Sequence, residues 1–134
     1  MDFQEALIGK TIRSIAVSDG ERVLRIATTS GPIYFMTEGD CCSESWWADI
    51  LGVQAAIGSV VRSVDVNEEG SNIDDGRTRQ EVDVVYGYTI HTTKGSLQLV
   101  FRNSSNGCYG GWCDATTEAP AVKRWTNITD DWSA

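Results

Sequence analysis

Basic residues are scarce in this sequence. Lys and Arg total 11 against 19 Asp and Glu, which gives a formal net charge of -8. Because nucleic acid favours proteins with a basic surface, this balance argues against direct binding to DNA or RNA. An acidic surface is typical of a soluble protein, and it also suits a protein that presents carboxylates to a basic partner.

Long apolar runs and export signals are also lacking. No stretch approaches the ~20 apolar residues of a spanning helix. Residues 1–6 have neither the basic start nor the apolar run of a signal peptide. We therefore expect a cytoplasmic protein without membrane contact, whose cysteines are reduced. The length of 134 residues, 41% of them hydrophobic, predicts a single domain over residues 1–134 with a core of its own.

Potential metal ligands are few and irregularly spaced. Cys41 and Cys42 are adjacent, four residues separate Cys108 from Cys113, and His91 is the only histidine. Adjacent cysteines rarely both bind one ion, so we expect no metal and no cofactor, and a four-thiol zinc site is the alternative. P-loop, GxGxxG, HExxH, GxSxG and EF-hand patterns are missing, so no standard enzyme signature is present.

Alternation of apolar and polar residues dominates what the sequence does contain. The clearest case begins at Val82, where Val82, Val84, Tyr86, Tyr88 and Ile90 share one face of a strand. Similar segments separated by Gly-bearing turns predict further strands over residues 9–17, 22–28, 33–36, 60–66 and 97–102. The pattern predicts a β-rich α+β domain, with a mainly antiparallel sheet or partly closed barrel and one short helix.

The short helix is predicted over residues 43–52. Ser43 suits an N-cap and Gly52 a C-terminal stop, and a further helical turn is expected over residues 53–57. Trp46 and Ile50 lie four apart and would face the core together. We expect them to pack over a buried face formed by Tyr86, Tyr88, Ile90, Leu97, Leu99 and Phe101. The polar residues 67–80 are predicted to form a solvated loop.

Two segments of the chain echo each other. Ile26–Phe35 and Ile90–Leu99 both read as a strand, a Thr-Thr-x-Gly turn and a second strand. A small polar segment follows each, over residues 38–43 and 102–107. If the two hairpins pair similarly, these polar segments leave their strands at equivalent ends and meet.

We predict a ligand site where they meet. A helix N-terminus there would offer free N–H groups to an anion, Arg102 would add a cation, and an aromatic ring could stack on a base. A small anionic ligand, in one version a nucleotide, is therefore expected. The predicted site residues are Asp40, Cys42, Ser43, Arg102, Asn103, Ser105, Tyr109 and Trp112.

Two other interpretations of the same segments stay open. The polar side chains could form a structural clasp, each bonded to the backbone of the opposite segment. Alternatively, Cys41 or Cys42 at a helix N-terminus could be a nucleophile, with His91 as base and Asp40 or Asp83 to orient it.

Two motifs carry a resemblance to a known family. Gly39–Trp46 reads GDCCSESW and Arg102–Gly111 reads RNSSNGCYGG. These resemble the GDCCSxSW and RNSSNGYYGG motifs of small uncharacterised proteins from bacteriophages and actinobacteria, with Cys108 in place of an aromatic residue. The resemblance spans Ile8–Gly111 and implies a phage or mobile-element context, but no activity.

The working hypothesis is a phage-type, non-enzymatic binding protein in the host cytoplasm. It would act on a host protein or a small anionic ligand, and counter-defence is one form of this role. The acidic residues 65–83 would be the surface of a protein inhibitor. The alternatives are a small enzyme with a Cys nucleophile and a minor structural component of a virion.

Overall fold

The computed structural model describes residues 2–106 and 110–134. Two five-stranded antiparallel sheets form the described structure, in the order β8-β3-β2-β1-β9 (sheet I) and β10-β4-β7-β6-β5 (sheet II). The elements are α1 (Phe3–Leu7), β1 (Ile12–Ser18), β2 (Val23–Thr28), β3 (Gly31–Gly39), β4 (Glu44–Leu51), α2 (Val53–Ala56), β5 (Val61–Ile73), β6 (Val82–Thr92), β7 (Gly95–Ser105), β8 (Gly111–Thr116), β9 (Trp125–Ile128) and β10 (Trp132–Ser133). The predicted β-rich fold class with antiparallel pairing is confirmed, and neither sheet closes into a barrel.

The core contains the inner faces of both sheets. The face predicted from the alternation in β6 and β7 is confirmed, because Ile90, Leu97 and Leu99 are fully buried and Phe101 is 1% exposed. The Phe101 ring stacks on Tyr86, with a centroid separation of 4.9 Å. Core residues contributed by sheet I are Ile15, Val17, Leu24, Ile26, Ile33 and Phe35.

The two echoing hairpins are also confirmed, and they share their hydrogen bonds. Thr28 pairs with Gly31 and Thr92 with Gly95, so each hairpin has a two-residue loop. In both, the threonine Oγ1 donates to the glycine carbonyl, at 2.9 Å and 2.7 Å. Each glycine has a positive φ, 105° and 148°, which the tight reversal requires.

The predicted helix over residues 43–52 is wrong, because this segment forms β4 and pairs with β7. The register shifts between Trp47 and Asp49, which indicates a bulge at Ala48. The bulge lets Trp47 and Ile50, three residues apart, both join the core, and this spacing resembles a helical stripe. Trp46 is buried on the opposite face, so of the two predicted core contacts only Ile50 is correct. The predicted turn after it is present as α2.

The polar segment before β6 is shorter than predicted. β5 continues to Ile73, with a register shift between Asn67 and Ser71, so the irregular part covers residues 74–81. This strap, as we name residues 74–81, lies on the outer face of sheet II. Neither described helix is long and apolar enough to cross a membrane.

Candidate functional site

The two motifs meet as predicted, at one end of sheet II. Glu44 pairs with Ser104 and Ser45 with Asn103, so the start of β4 lies beside the end of β7. Residues 40–43 form the turn between β3 and β4, in which the Ser43 N–H donates to the Asp40 carbonyl at 3.1 Å. No helix begins here, and the predicted helix-end N–H groups are therefore replaced by a β-turn.

Residues 102–105, which open the second motif, are a buried strand instead of a polar loop. Arg102 is 1% exposed, and Asn103, Ser104 and Ser105 are fully buried at the end of β7. Successive side chains of a strand point to opposite faces. Asn103 therefore faces the space between the sheets, whereas Arg102 and Ser104 face outward, and the predicted concavity shared by Arg102 and Asn103 does not form.

Asn103 holds the two motifs together on the inner face. Its Nδ2 donates to the Oγ atoms of Ser43 and Ser45, at 3.1 Å and 3.0 Å. The two hydroxyls in turn donate to the carbonyls of Asp40, at 2.6 Å, and Glu38, at 2.7 Å. This arrangement, the Asn103 clasp, joins the two segments through side chains, and both hydroxyl protons are used on the backbone of residues 38–40, whereas the structural interpretation predicts bonds to the backbone of the opposite segment.

Two glycines leave room for the Asn103 clasp. A Cβ on Gly39 would lie 2.5 Å from the Oγ of Ser43, and one on Gly111 would lie 2.6 Å from the Oγ of Ser45. Any side chain at either position would displace a hydroxyl of the clasp. The glycine that opens the first motif is therefore explained by packing.

Arg102 forms a buried ion-pair network on the outer face. Its Nη1 donates to Asp75 at 2.9 Å and to Asp83 at 3.0 Å. The hydrogen bond with Asp75 raises the pKa of Arg102, and the same bond holds the pKa of Asp75 well below its usual range. The predicted cation of the ligand site thus binds two carboxylates of its own chain through Nη1 and Nη2.

The strap is attached to this outer face at several points. Ser104 Oγ donates to Asp83 at 2.6 Å and accepts the N–H groups of Arg79, at 3.1 Å, and Gln80, at 2.9 Å. Arg77 contacts both carboxylate oxygens of Asp49, at 3.0 Å and 3.2 Å. Thr78 Oγ1 also donates to Asp83, so side chains of β4, β6 and β7 together hold the strap.

A polar pocket of about 280 Å³ opens beside the Asn103 clasp. Its lining residues are Gly20, Arg22, Gly39, Ser43, Glu44, Ser45 and Arg79. Arg22 directly precedes β2, and Arg79 comes from the strap, where its guanidinium lies 4.0 Å above the Trp46 ring. We name this the arginine pocket.

Both guanidiniums in the arginine pocket are loosely neutralised. Arg22 lies 3.5 Å from Glu38, and Arg79 lies 3.8 Å from a carboxylate oxygen of Glu21. Charge-assisted N–H···O bonds are normally about 2.7–2.9 Å long. Each arginine therefore keeps donors that another anion could use.

Sequence reasoning missed both arginines. Arg22 lies close to the first motif because its carbonyl accepts the Thr37 N–H at 2.9 Å, a contact that the sequence does not show. Arg79 had no local signal, since its position depends on strap contacts with three separate strands.

The remaining predicted site residues are dispersed. Asp40 and Cys42 are exposed on the turn between β3 and β4, where Cys42 has a φ of 70°. Trp112 is 46% exposed and lines a separate aromatic cavity of about 300 Å³ with Tyr86, Tyr88, Phe101, Gly111 and Cys113. Tyr109 lies outside the described residues, as does Cys108.

The geometry does not assemble the cysteine nucleophile. The hydrogen bond and charge of Cys41 raise the pKa of Cys42, which opposes formation of a thiolate. His91 instead contacts Asp65 at 2.7 Å and Ser96 at 3.2 Å. Ser96 and Ser104 are eight residues apart on β7, which places His91 about 26 Å from the end where the motifs meet.

Metal-binding groups are likewise scattered. Over residues 2–106 and 110–134, no three His, Cys, Asp or Glu side chains are grouped so that they could hold an ion. Cys41, Cys42 and Cys113 are free thiols, and burial raises the pKa of Cys113.

Comparison with known proteins gives a viral relative and a family. The chain is 36% identical over 86 residues to the uncharacterised protein L278 of Acanthamoeba polyphaga mimivirus. The matched stretch covers 58% of this chain and 62% of the mimivirus protein. No solved structure matches the chain. Residues 5–115 match DUF7448, a domain of unknown function, and the chain therefore belongs to this family.

Proposed function

We propose that this protein is a non-enzymatic, viral-type binding protein that holds a small anion in the arginine pocket. The observation that carries the proposal is the convergence of two loosely paired guanidiniums, Arg22 and Arg79, in one pocket of a chain with net charge -8. In the host cytoplasm, such a protein would sequester a phosphorylated or carboxylated metabolite.

The arginines of the chain differ in how closely they are paired. Arg77 and Arg102 each bind a carboxylate at about 3.0 Å, and both fasten the strap. Arg22 and Arg79 lie 3.5 Å and 3.8 Å from their acidic neighbours. A planar guanidinium with unused donors is suited to bidentate binding of phosphate or carboxylate.

The acidic net charge does not prevent this binding. Charges more than about 8 Å away are largely screened at physiological ionic strength. Within the pocket lining, Arg22 and Arg79 face one carboxylate, that of Glu44. Glu38 and Glu21 lie outside the lining, at 3.5 Å and 3.8 Å from the two guanidiniums, so an anion binds by replacing these long contacts with shorter ones.

The acidic residues 65–83 support a protein-inhibitor role less well. Asp65 is bonded to His91, and Asp75 and Asp83 are bonded to Arg102. These carboxylates are engaged within the chain, so a basic partner would have to compete for them. In the arginine pocket the contacts that an anion must replace are longer, 3.5 Å and 3.8 Å.

A binding assay with matched variants tests the proposal. Melting temperature and calorimetric titration would be measured with inorganic phosphate, pyrophosphate, ATP and succinate. We expect at least one of these anions to raise the melting temperature. Arg22→Gln and Arg79→Gln should each weaken its binding about tenfold, the effect of losing about 1.4 kcal/mol. Arg13→Gln, an equal charge change at an exposed position of β1, is the control.

Two results would contradict the proposal. The first is wild-type protein that binds none of the four anions at millimolar concentration. The second is binding that Arg22→Gln and Arg79→Gln weaken no more than Arg13→Gln does, because the attraction would then be a general charge effect.

A further inference from the structure

We infer that the strap controls the arginine pocket, and that Asp75 and Arg102 are positioning residues that keep Arg79 in place. This inference rests on the proposed function and adds its regulation. The pocket would exist only while residues 74–81 lie on sheet II. Anion binding and strap closure would then be coupled, because the anion binds only the closed strap.

The first step of the argument is that Arg79 belongs to both structures. Its backbone N–H donates to Ser104 Oγ at 3.1 Å, as part of the strap attachment. Its guanidinium stacks on Trp46 and lines the arginine pocket. The side chain cannot stay in the pocket if the backbone leaves Ser104.

The second step is that Asp75 joins the strap to a fixed point. Arg102 lies on central strand β7, with a side chain only 2% exposed. Asp75 is the strap carboxylate that binds it, and the Asp75 side chain is 32% exposed. Arg102 also binds Asp83 of β6 at 3.0 Å, so the cation keeps one partner when Asp75 leaves. The Asp75 contact can therefore open without leaving Arg102 unpaired.

The third step is thermodynamic linkage. If the open strap has no arginine pocket, an anion that binds the pocket must favour the closed strap by the same factor. Conversely, any change that opens the strap must weaken binding of the anion. A strap with a purely structural role would show neither effect.

The rate of trypsin cleavage reports how often the strap is open, because Arg77 and Arg79 are cleavage sites within it. Pyrophosphate is the probe of the pocket, and titration gives its affinity for each variant. We expect Asp75→Asn to speed cleavage in the strap. We also expect it to lower the affinity for pyrophosphate about tenfold, within the range typical of coupled sites. Asp75→Glu should restore both partly. Asp65→Asn, an equal charge change on β5, should leave both unchanged.

A second variant covers the case in which Asp75→Asn does not fold. Arg77→Gln removes the bond between the strap and Asp49, and the side chain of Arg77 is 40% exposed. Cleavage after Arg79 then reports opening. Pyrophosphate should also slow this cleavage in the wild-type protein.

The possible outcomes separate the two proposals. If wild-type protein does not bind pyrophosphate, the inference is overturned, whereas the proposed function still rests on the other anions. If the strap variants are cleaved faster but bind pyrophosphate like wild type, the inference alone is overturned. Faster cleavage together with weaker binding supports it.

Discussion

Arg102 and Asn103 are adjacent on β7, yet their side chains belong to two separate polar networks on opposite faces of sheet II. Arg102 binds Asp75 and Asp83 on the outer face, whereas Asn103 binds Ser43 and Ser45 between the sheets. One short motif therefore fixes both the strap and the turn between β3 and β4. The arginine pocket lies between these two fixed segments.

Asn103→Ala should lower the free energy of unfolding by about 1–3 kcal/mol, because the buried Ser45 hydroxyl and the half-buried Ser43 hydroxyl lose their donor. Urea unfolding measures the change. Asn127→Ala, at an exposed position of β9, is the control and should have little effect. Equal stability of the two variants would show that the Asn103 clasp contributes nothing to the fold.

Gly39→Ala should destabilise the protein more than Gly87→Ala. A Cβ at residue 39 would lie 2.5 Å from Ser43 Oγ and 2.7 Å from Asn103 Nδ2, whereas one at residue 87 meets nothing closer than 3.5 Å. Both glycines are in strands, so the intrinsic cost of the substitution is similar. Melting temperatures of the two variants decide the point, and a smaller loss for Gly39→Ala would contradict the packing argument.

The sequence predicts the hairpins and the main core face well, because their signals are local. In β6 and β7, apolar residues alternate without interruption. Thr92 and Gly95 form the turn between these strands through a bond from the threonine hydroxyl to the glycine carbonyl. β4 was misassigned because its bulge places Trp47 and Ile50 on the core face three residues apart. When a bulge changes the spacing of core residues in a strand from two to three, the sequence alone cannot distinguish that spacing from the spacing in a helix.

The candidate site was predictable only in part, for a different reason. The echo between the hairpins correctly brought Ser43 and Asn103 together. Polar residues such as Arg102 and Ser104 suggested a loop, because a sequence does not show the distant Asp75 and Asp83 that satisfy them inside a sheet. The position of Arg79 in the pocket likewise depends on residues distant in the sequence, Ser104 and Trp46.

Phe101→Ala should cost about 3–5 kcal/mol of stability, as large-to-small changes of aromatic core residues do. Phe101 is 1% exposed and contacts the rings of Trp47, Tyr86 and Tyr88. Urea unfolding checks the value, with Phe101→Leu as the milder comparison. A variant that melts like wild type would show that this face is not the centre of the core.

The last prediction concerns acid. The hydrogen bond from Arg102 lowers the pKa of Asp75, so the folded pKa lies below the value of about 3.9 for a free Asp. Burial opposes ionisation of Asp49, but hydrogen bonds from Arg77 and Ser133 outweigh it and lower that pKa too. A lowered folded pKa stabilises the protein above the unfolded pKa, and the stabilisation is lost as the pH falls through the folded value.

Wild-type protein should therefore be more stable than Asp75→Asn at pH 7, and the difference should shrink below about pH 4. Urea unfolding of both proteins between pH 7 and pH 3 measures this difference, with Asp65→Asn as a control whose difference from wild type stays small. A stability difference that is independent of pH would show that the Asp75 carboxylate is not held ionised by Arg102.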